Sequence, residues 1–67
     1  MRQHSVHFRK DGSPTRFACS GVEWSKSAAI ARARRELRQY GKGEFDTVHV
    51  VDDVEDVEVW SRRINGR

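Results

Sequence analysis

Arg32, Arg35 and Arg38 recur at i, i+3 and i+6 in this 67-residue chain, and they are the side chains best suited to chemistry. On a helix this spacing sets the guanidinium groups along one flank, with Arg34 beside them. The small Ala28 and Ala31 between them leave room for a phosphate backbone to approach. Cations held on a rigid surface bind nucleic acid because each neutralised phosphate releases condensed counterions. Lys26 and Lys42 sit near the ends of this stretch, and Arg2, Arg9, Lys10 and Arg16 would extend the patch. Arginine is also a good helix former, so the same pattern serves a face that is merely solvated.

A second constellation is acidic. Asp52, Asp53, Glu55, Asp56 and Glu58 crowd one short stretch. Such a run serves as a soluble turn that keeps a sheet edge from pairing with neighbours. It would equally dock a basic patch on another protein, or the arginine helix of a second copy. Trp60 follows closely, and a simple hairpin register sets it on the face opposite Val57 and Val59. An exposed indole there would anchor a protein partner or stack on a base; in a bulged strand it would be core instead. Trp24, just before the basic stretch, reads as a packing residue.

His4, His7, Cys19 and His49 are the metal-ligating types. His4 and His7 have opposite parity on a strand and so face different sides. Zinc takes about four ligands at characteristic spacings, which are not found here. No metal or cofactor is expected. Ser20 and Ser25 have no nucleophile context, and Gly41-Lys42-Gly43 lacks the strand–loop–helix setting of a phosphate loop. Catalysis is not expected either.

The elements that must position these residues follow from periodicity. His4–Arg9 alternates in period two, with Val6 and Phe8 on one face. Asp11-Gly12-Ser13-Pro14 is a cluster of turn formers. A second alternating run follows; pairing Lys10 with Thr15 sets Phe8 opposite Phe17 and Val6 opposite Cys19. Ser25–Tyr40 reads as a helix with Ser25 as N-cap and Gly41 as the left-handed C-cap. At about 100° per residue, Ala29, Ile30, Ala33, Leu37 and Tyr40 form its apolar side. Thr47–Val51 and Val57–Ser61 read as strands around the acidic turn, with Val50 opposite Val57 and Val48 opposite Val59. The expected fold is α+β in ββαββ order: a four-stranded antiparallel sheet with one helix packed on one face. Residues 1–67 are expected to form a single small domain, with 63–67 a frayed tail.

Residues 5–40 resemble the C-terminal half of a double-stranded-RNA-binding domain. The likeness is carried by the hairpin around Asp11-Gly12, by Ser20-Gly21-Val22-Glu23-Trp24, and by the helix opening Ser25-Lys26-Ser27-Ala28-Ala29. The resemblance implies that Lys26 touches phosphates across a groove, with Ser27 where the family carries a second lysine. The chain departs from that family in having no preceding helix, only two hairpin strands before the helix, and an extra acidic hairpin after it.

Composition bounds the partners. The formal net charge of +3 hides a division: residues 1–43 carry +7 and residues 44–67 carry −4. One cysteine makes no internal disulfide, and no stretch approaches the ~20 apolar residues that cross a bilayer. A cytoplasmic protein without membrane contact is expected. Ten arginines against three lysines fit a GC-rich genome, such as that of an actinobacterium or its phage. A core this small supplies roughly 3–5 kcal/mol, which leaves a homodimer open. The expected function is a small non-catalytic module that binds DNA or RNA through Arg32, Arg34, Arg35, Arg38, Lys26 and Lys42. The alternative is a protein-interaction factor, such as a phage-type inhibitor of a host protein, using Asp52, Asp53, Glu55, Asp56 and Trp60.

Overall fold

The computed structural model describes residues 2–10, 13–40 and 45–64. Four strands and one helix follow in the order β1 (His4–Lys10), β2 (Ser13–Glu23), α1 (Lys26–Tyr40), β3 (Thr47–Asp52) and β4 (Val57–Arg63). The strands form one antiparallel sheet in the order β2-β1-β3-β4, so the fold is α+β with the expected element order. The expected turn at Asp11-Gly12 and the C-cap at Gly41 lie outside the described residues, as does Lys42.

Alternation builds the core. Val6 and Phe8 of β1 and Val48 and Val50 of β3 are fully buried, and the antiparallel register sets Val6 against Val50 and Phe8 against Val48. The helix meets them with Ala29 and Ala33, both fully buried, whose small side chains let its axis lie close to the sheet. Ile30 and Leu37 pack at the margin of this cluster. Phe45, ahead of β3, closes it with its ring centroid 6.2 Å from that of Phe8. Ser25 caps the helix, its Oγ accepting from the Ala28 amide at 3.2 Å. The helix packs over β2, β1 and β3.

Both hairpins differ from the simple pairing: each is offset from the expected register at its turn, and each carries a bulge further along. In β2, Gly21 lies opposite Val6 while Cys19 lies opposite His7, so Ser20 is an extra residue. A second irregularity, between Arg9 and Lys10 on the turn side, sets Phe8 opposite Ala18 rather than Phe17; Ala18 packs on the core, and Cys19 is exposed. Ser13 and Pro14 belong to β2, an edge strand, where a residue without an N–H is tolerated. In β4, Val51 faces Glu58 and Val50 faces Trp60, leaving Val59 as the extra residue. The bulge turns Trp60 to the inner face, where it is half-buried against the core. Of the two placements the sequence left open for Trp60, the bulged strand gives the one against the core. The strand also runs through Arg63, and the Ile64 amide donates to the Asp46 carbonyl at 2.9 Å; the rest of the expected frayed tail, 65–67, lies outside the described residues.

Candidate nucleic-acid interface

Strand direction sorts the charges into two ends. β1 leaves the sheet at Lys10, β3 begins at Thr47 beside Arg9, and β4 finishes at Arg63 opposite Thr47. The helix starts where β2 ends and returns toward β3, so Arg34, Arg35 and Arg38 ride in the half nearer this basic end. At the other end, β3 finishes at Asp52 opposite Val57, and the acidic turn projects beyond it. The division between sequence halves becomes an approximate division along the sheet: Arg62 and Arg63, with Asp46, join the basic end from the acidic half, and Arg2 and Lys26 lie toward the acidic end. Only the pairing of β3 with β4 reveals the place of Arg62 and Arg63.

The four helix arginines fall into two kinds. Arg32 is tied down: its Nη1 lies 2.8 Å from Glu23 Oε2, its Nη2 donates to the Ser20 carbonyl at 3.0 Å, and its Nε donates to Ser20 Oγ at 3.3 Å. The Ser20 hydroxyl in turn donates to Glu36 Oε1 at 3.2 Å. The bulge explains this arrangement, because the extra residue's carbonyl has left the ladder and the guanidinium satisfies it. Gly21 makes it fit: its φ is +150°, and a Cβ there would lie 2.4 Å from Arg32 Nη2. Of the expected set, Arg32 is the one whose guanidinium is already engaged within the chain, by Glu23 and Ser20. Arg34, Arg35 and Arg38 are exposed and form no ion pair among the described residues.

The remaining cations divide similarly. Lys26 is exposed in the first turn of α1, about 12 Å of helix rise from Arg34, and so lies toward the acidic end. Arg2 has left the basic patch: its Nη1 lies 2.9 Å from Asp52 Oδ2 and 3.3 Å from Glu55 Oε2. The bond to Asp52 holds the Arg2 guanidinium still more firmly protonated than usual. Lys10 is 3.8 Å from Asp46. Arg9, Arg62 and Arg63 are exposed at the basic end.

The acidic turn is internally bonded. Asp52 Oδ1 accepts from the Val54 amide at 2.9 Å and the Glu55 amide at 3.3 Å. Burial pushes the Asp52 carboxyl up, but the two amides and Arg2 together outweigh it and hold the group below its usual range. Asp53 accepts from Ser5 Oγ at 2.7 Å and from Gln3 Nε2 at 3.0 Å. Glu58 bonds His49. Asp56 adopts φ 57°, a left-handed conformation that aspartate tolerates.

The histidines serve the same framework. His4 is buried and donates Nδ1–H to the Arg2 carbonyl at 2.9 Å. His7 and His49 face each other across β1 and β3 on the sheet face away from the helix. The Ser5 hydroxyl gives its proton to the Asp53 carboxylate, so His7 must donate Nε2–H to Ser5 Oγ at 2.9 Å. Serine sits in the middle of that chain, so its hydroxyl is bound as a donor rather than activated as a nucleophile. Burial, then Arg9, lowers the His7 pKa. Among the described residues no three metal-ligating side chains converge, and no helix is long and apolar enough to cross a membrane.

In comparisons with known proteins, no family model, curated protein or solved structure matches the chain.

Proposed function

We propose that this protein is a non-catalytic module that binds the phosphate backbone of nucleic acid through its basic end, with Arg34, Arg35 and Arg38 as the principal contacts. The observation that carries this reading is that these three guanidinium groups are exposed and without an ion pair among the described residues. Cations already paired at home would have to break those pairs before meeting a phosphate, whereas free ones release counterions at once. Arg9, Arg62 and Arg63 surround the same end and widen the surface available to a duplex. Lys26 and Arg32 are removed from the principal contacts, the first by its distance along the helix and the second by its bonds to Glu23 and Ser20.

The test is fluorescence anisotropy with 20-base-pair DNA and RNA duplexes. Arg34, Arg35 and Arg38 are changed together to Glu, and circular dichroism checks that the fold persists. The triple variant should lose binding to both duplexes at 0.1 M salt. Retained affinity in a folded triple variant would remove the reading.

A further inference from the structure

The large hydrophobic side chains left exposed among the described residues are Val22, Trp24, Val54 and Val57, at 43%, 58%, 65% and 53%. The topology gathers all four at one end of the sheet. β2 finishes at Glu23 opposite His4, β3 finishes at Asp52, also opposite His4, and β4 begins at Val57 opposite Asp52. Single exposed apolar residues are ordinary; here Val22 and Trp24 lie at the β2 edge and Val54 and Val57 at the β4 edge, about three strand spacings or ~14 Å apart, so an occupant has to bridge the rim.

Val54 is the least ordinary of the four. It occupies the β3–β4 turn, where Gly, Asn, Asp or Ser would be favoured over a β-branched residue. Its exposure does not come from slack in the chain. The Asp52 carboxylate caps the Val54 and Glu55 amides, and the Asp56 amide donates to the Asp52 carbonyl at 2.7 Å. The Asp53 amide donates to the Gln3 carbonyl at 2.9 Å, and its carboxylate is held by Ser5 and Gln3. An apolar tip braced in this way loses little freedom when something covers it. A local choice that the fold does not use is where a functional contact is expected.

Charge selects the occupant. Exposed Asp53, Glu55 and Asp56 surround Val54, and Asp56 has no side-chain partner among the described residues. Arg2 offsets only part of this charge, through Asp52 and Glu55. We propose that this end docks a segment of another protein that carries aliphatic side chains on one face and lysine or arginine beside them. The aliphatic groups would cover Trp24, Val54 and Val57, and the cations would meet the carboxylates. A second copy fits less well, because its basic end offers guanidinium groups without a large exposed apolar side chain among the described residues.

The probe is a synthetic helix of about 18 residues with leucine on one face and lysine on the other, titrated into isotope-labelled protein by NMR. Trp24→Ala, at an exposed site, identifies the Trp24 indole resonance. The Lys/Leu peptide should shift that resonance and the amides of residues 53–57, leaving those of Arg34–Arg38 in place. Its affinity should fall at least tenfold in Trp24→Ala and in Val54→Ser/Val57→Ser. A Glu/Leu peptide of the same pattern should not bind. The proposal is overturned by shifts that map elsewhere, by unchanged affinity in these variants, or by equal binding of the Glu/Leu peptide. Sedimentation of the peptide-free protein as a dimer that Val54→Ser/Val57→Ser dissolves would assign the surface to a second copy, and overturns it too.

Discussion

At the acidic end, Asp52 holds Arg2 at 2.9 Å and caps its own turn, Asp53 binds Ser5 and Gln3, and Glu58 binds His49. In the half of the helix nearer the other end, Arg34, Arg35 and Arg38 form no ion pair among the described residues. Charge of one sign is partly consumed in fixing a turn, leaving exposed Asp56 over, while charge of the other is left facing water. What a charged cluster can do for a partner depends on how much of it the fold has already used. Arg32 is the test case within a single helix, since it is one turn from Arg35 yet belongs to the consumed class.

The largest effect is expected at the seat of Arg32. Gly21→Ala puts a Cβ into the guanidinium and strains a positive φ, at a cost of about 2–3 kcal/mol. That is a large part of what so small a core supplies. Urea unfolding should show the midpoint collapsing, and an unchanged midpoint would mean that Arg32 is not seated there. Next, Arg32→Ala should cost about 1.5–3 kcal/mol through lost charge-assisted hydrogen bonds, while duplex affinity of the folded protein stays within about twofold. Arg35→Ala should do the reverse. Its stability should stay within about 0.5 kcal/mol and its affinity fall about five- to tenfold at 0.1 M salt, from one fewer counterion released. Equal behaviour of the two variants would dissolve the distinction.

A smaller effect concerns acid. The His7 pKa is lowered by burial, so protonation favours the unfolded chain. The stability His7 contributes is present above its ordinary value of 6.5 and is lost as the pH falls below it. Asp52 adds a second loss at lower pH, below its ordinary 3.8, because its folded carboxyl is also held down. Urea midpoints at pH 7.5 and 5 should fall in the native protein and fall less in His7→Gln, which keeps a donor for Ser5. Equal falls would contradict the role given to His7. The smallest stability change is expected at Val54→Ser, within about 0.5 kcal/mol, since that side chain is 65% exposed. A larger loss would show that the turn relies on it.

Much of the scaffold was legible from local pattern. Alternation in His4–Arg9 and Thr47–Val51 and the Ser25 cap are signals a few residues long, and Ala29 and Ala33 follow from helical period. The two bulges were not legible, because an extra residue leaves the alternation on either side intact and shifts only the phase between them. For that reason alternation alone left Trp60 open between an outward and a core position, while the pairing of Phe17 with Phe8 differs through the irregularity between Arg9 and Lys10. The fate of Arg32 is likewise non-local: Glu23 and Ser20 reach it only because β2 bulges under the helix. Arg62 and Arg63 join the basic end through strand pairing, which composition by halves conceals.

The salt dependence of duplex binding tests the central claim most directly, because it counts phosphates rather than contacts. Each phosphate contributes about −0.9 to the slope of log affinity against log salt. The native protein should show a slope of about −3 or steeper, Arg32→Ala should keep it, and changing Arg34, Arg35 and Arg38 to Ala together should flatten it by about 3. A slope near zero in the native protein, or one that survives the triple change and disappears with Arg32, would contradict the account.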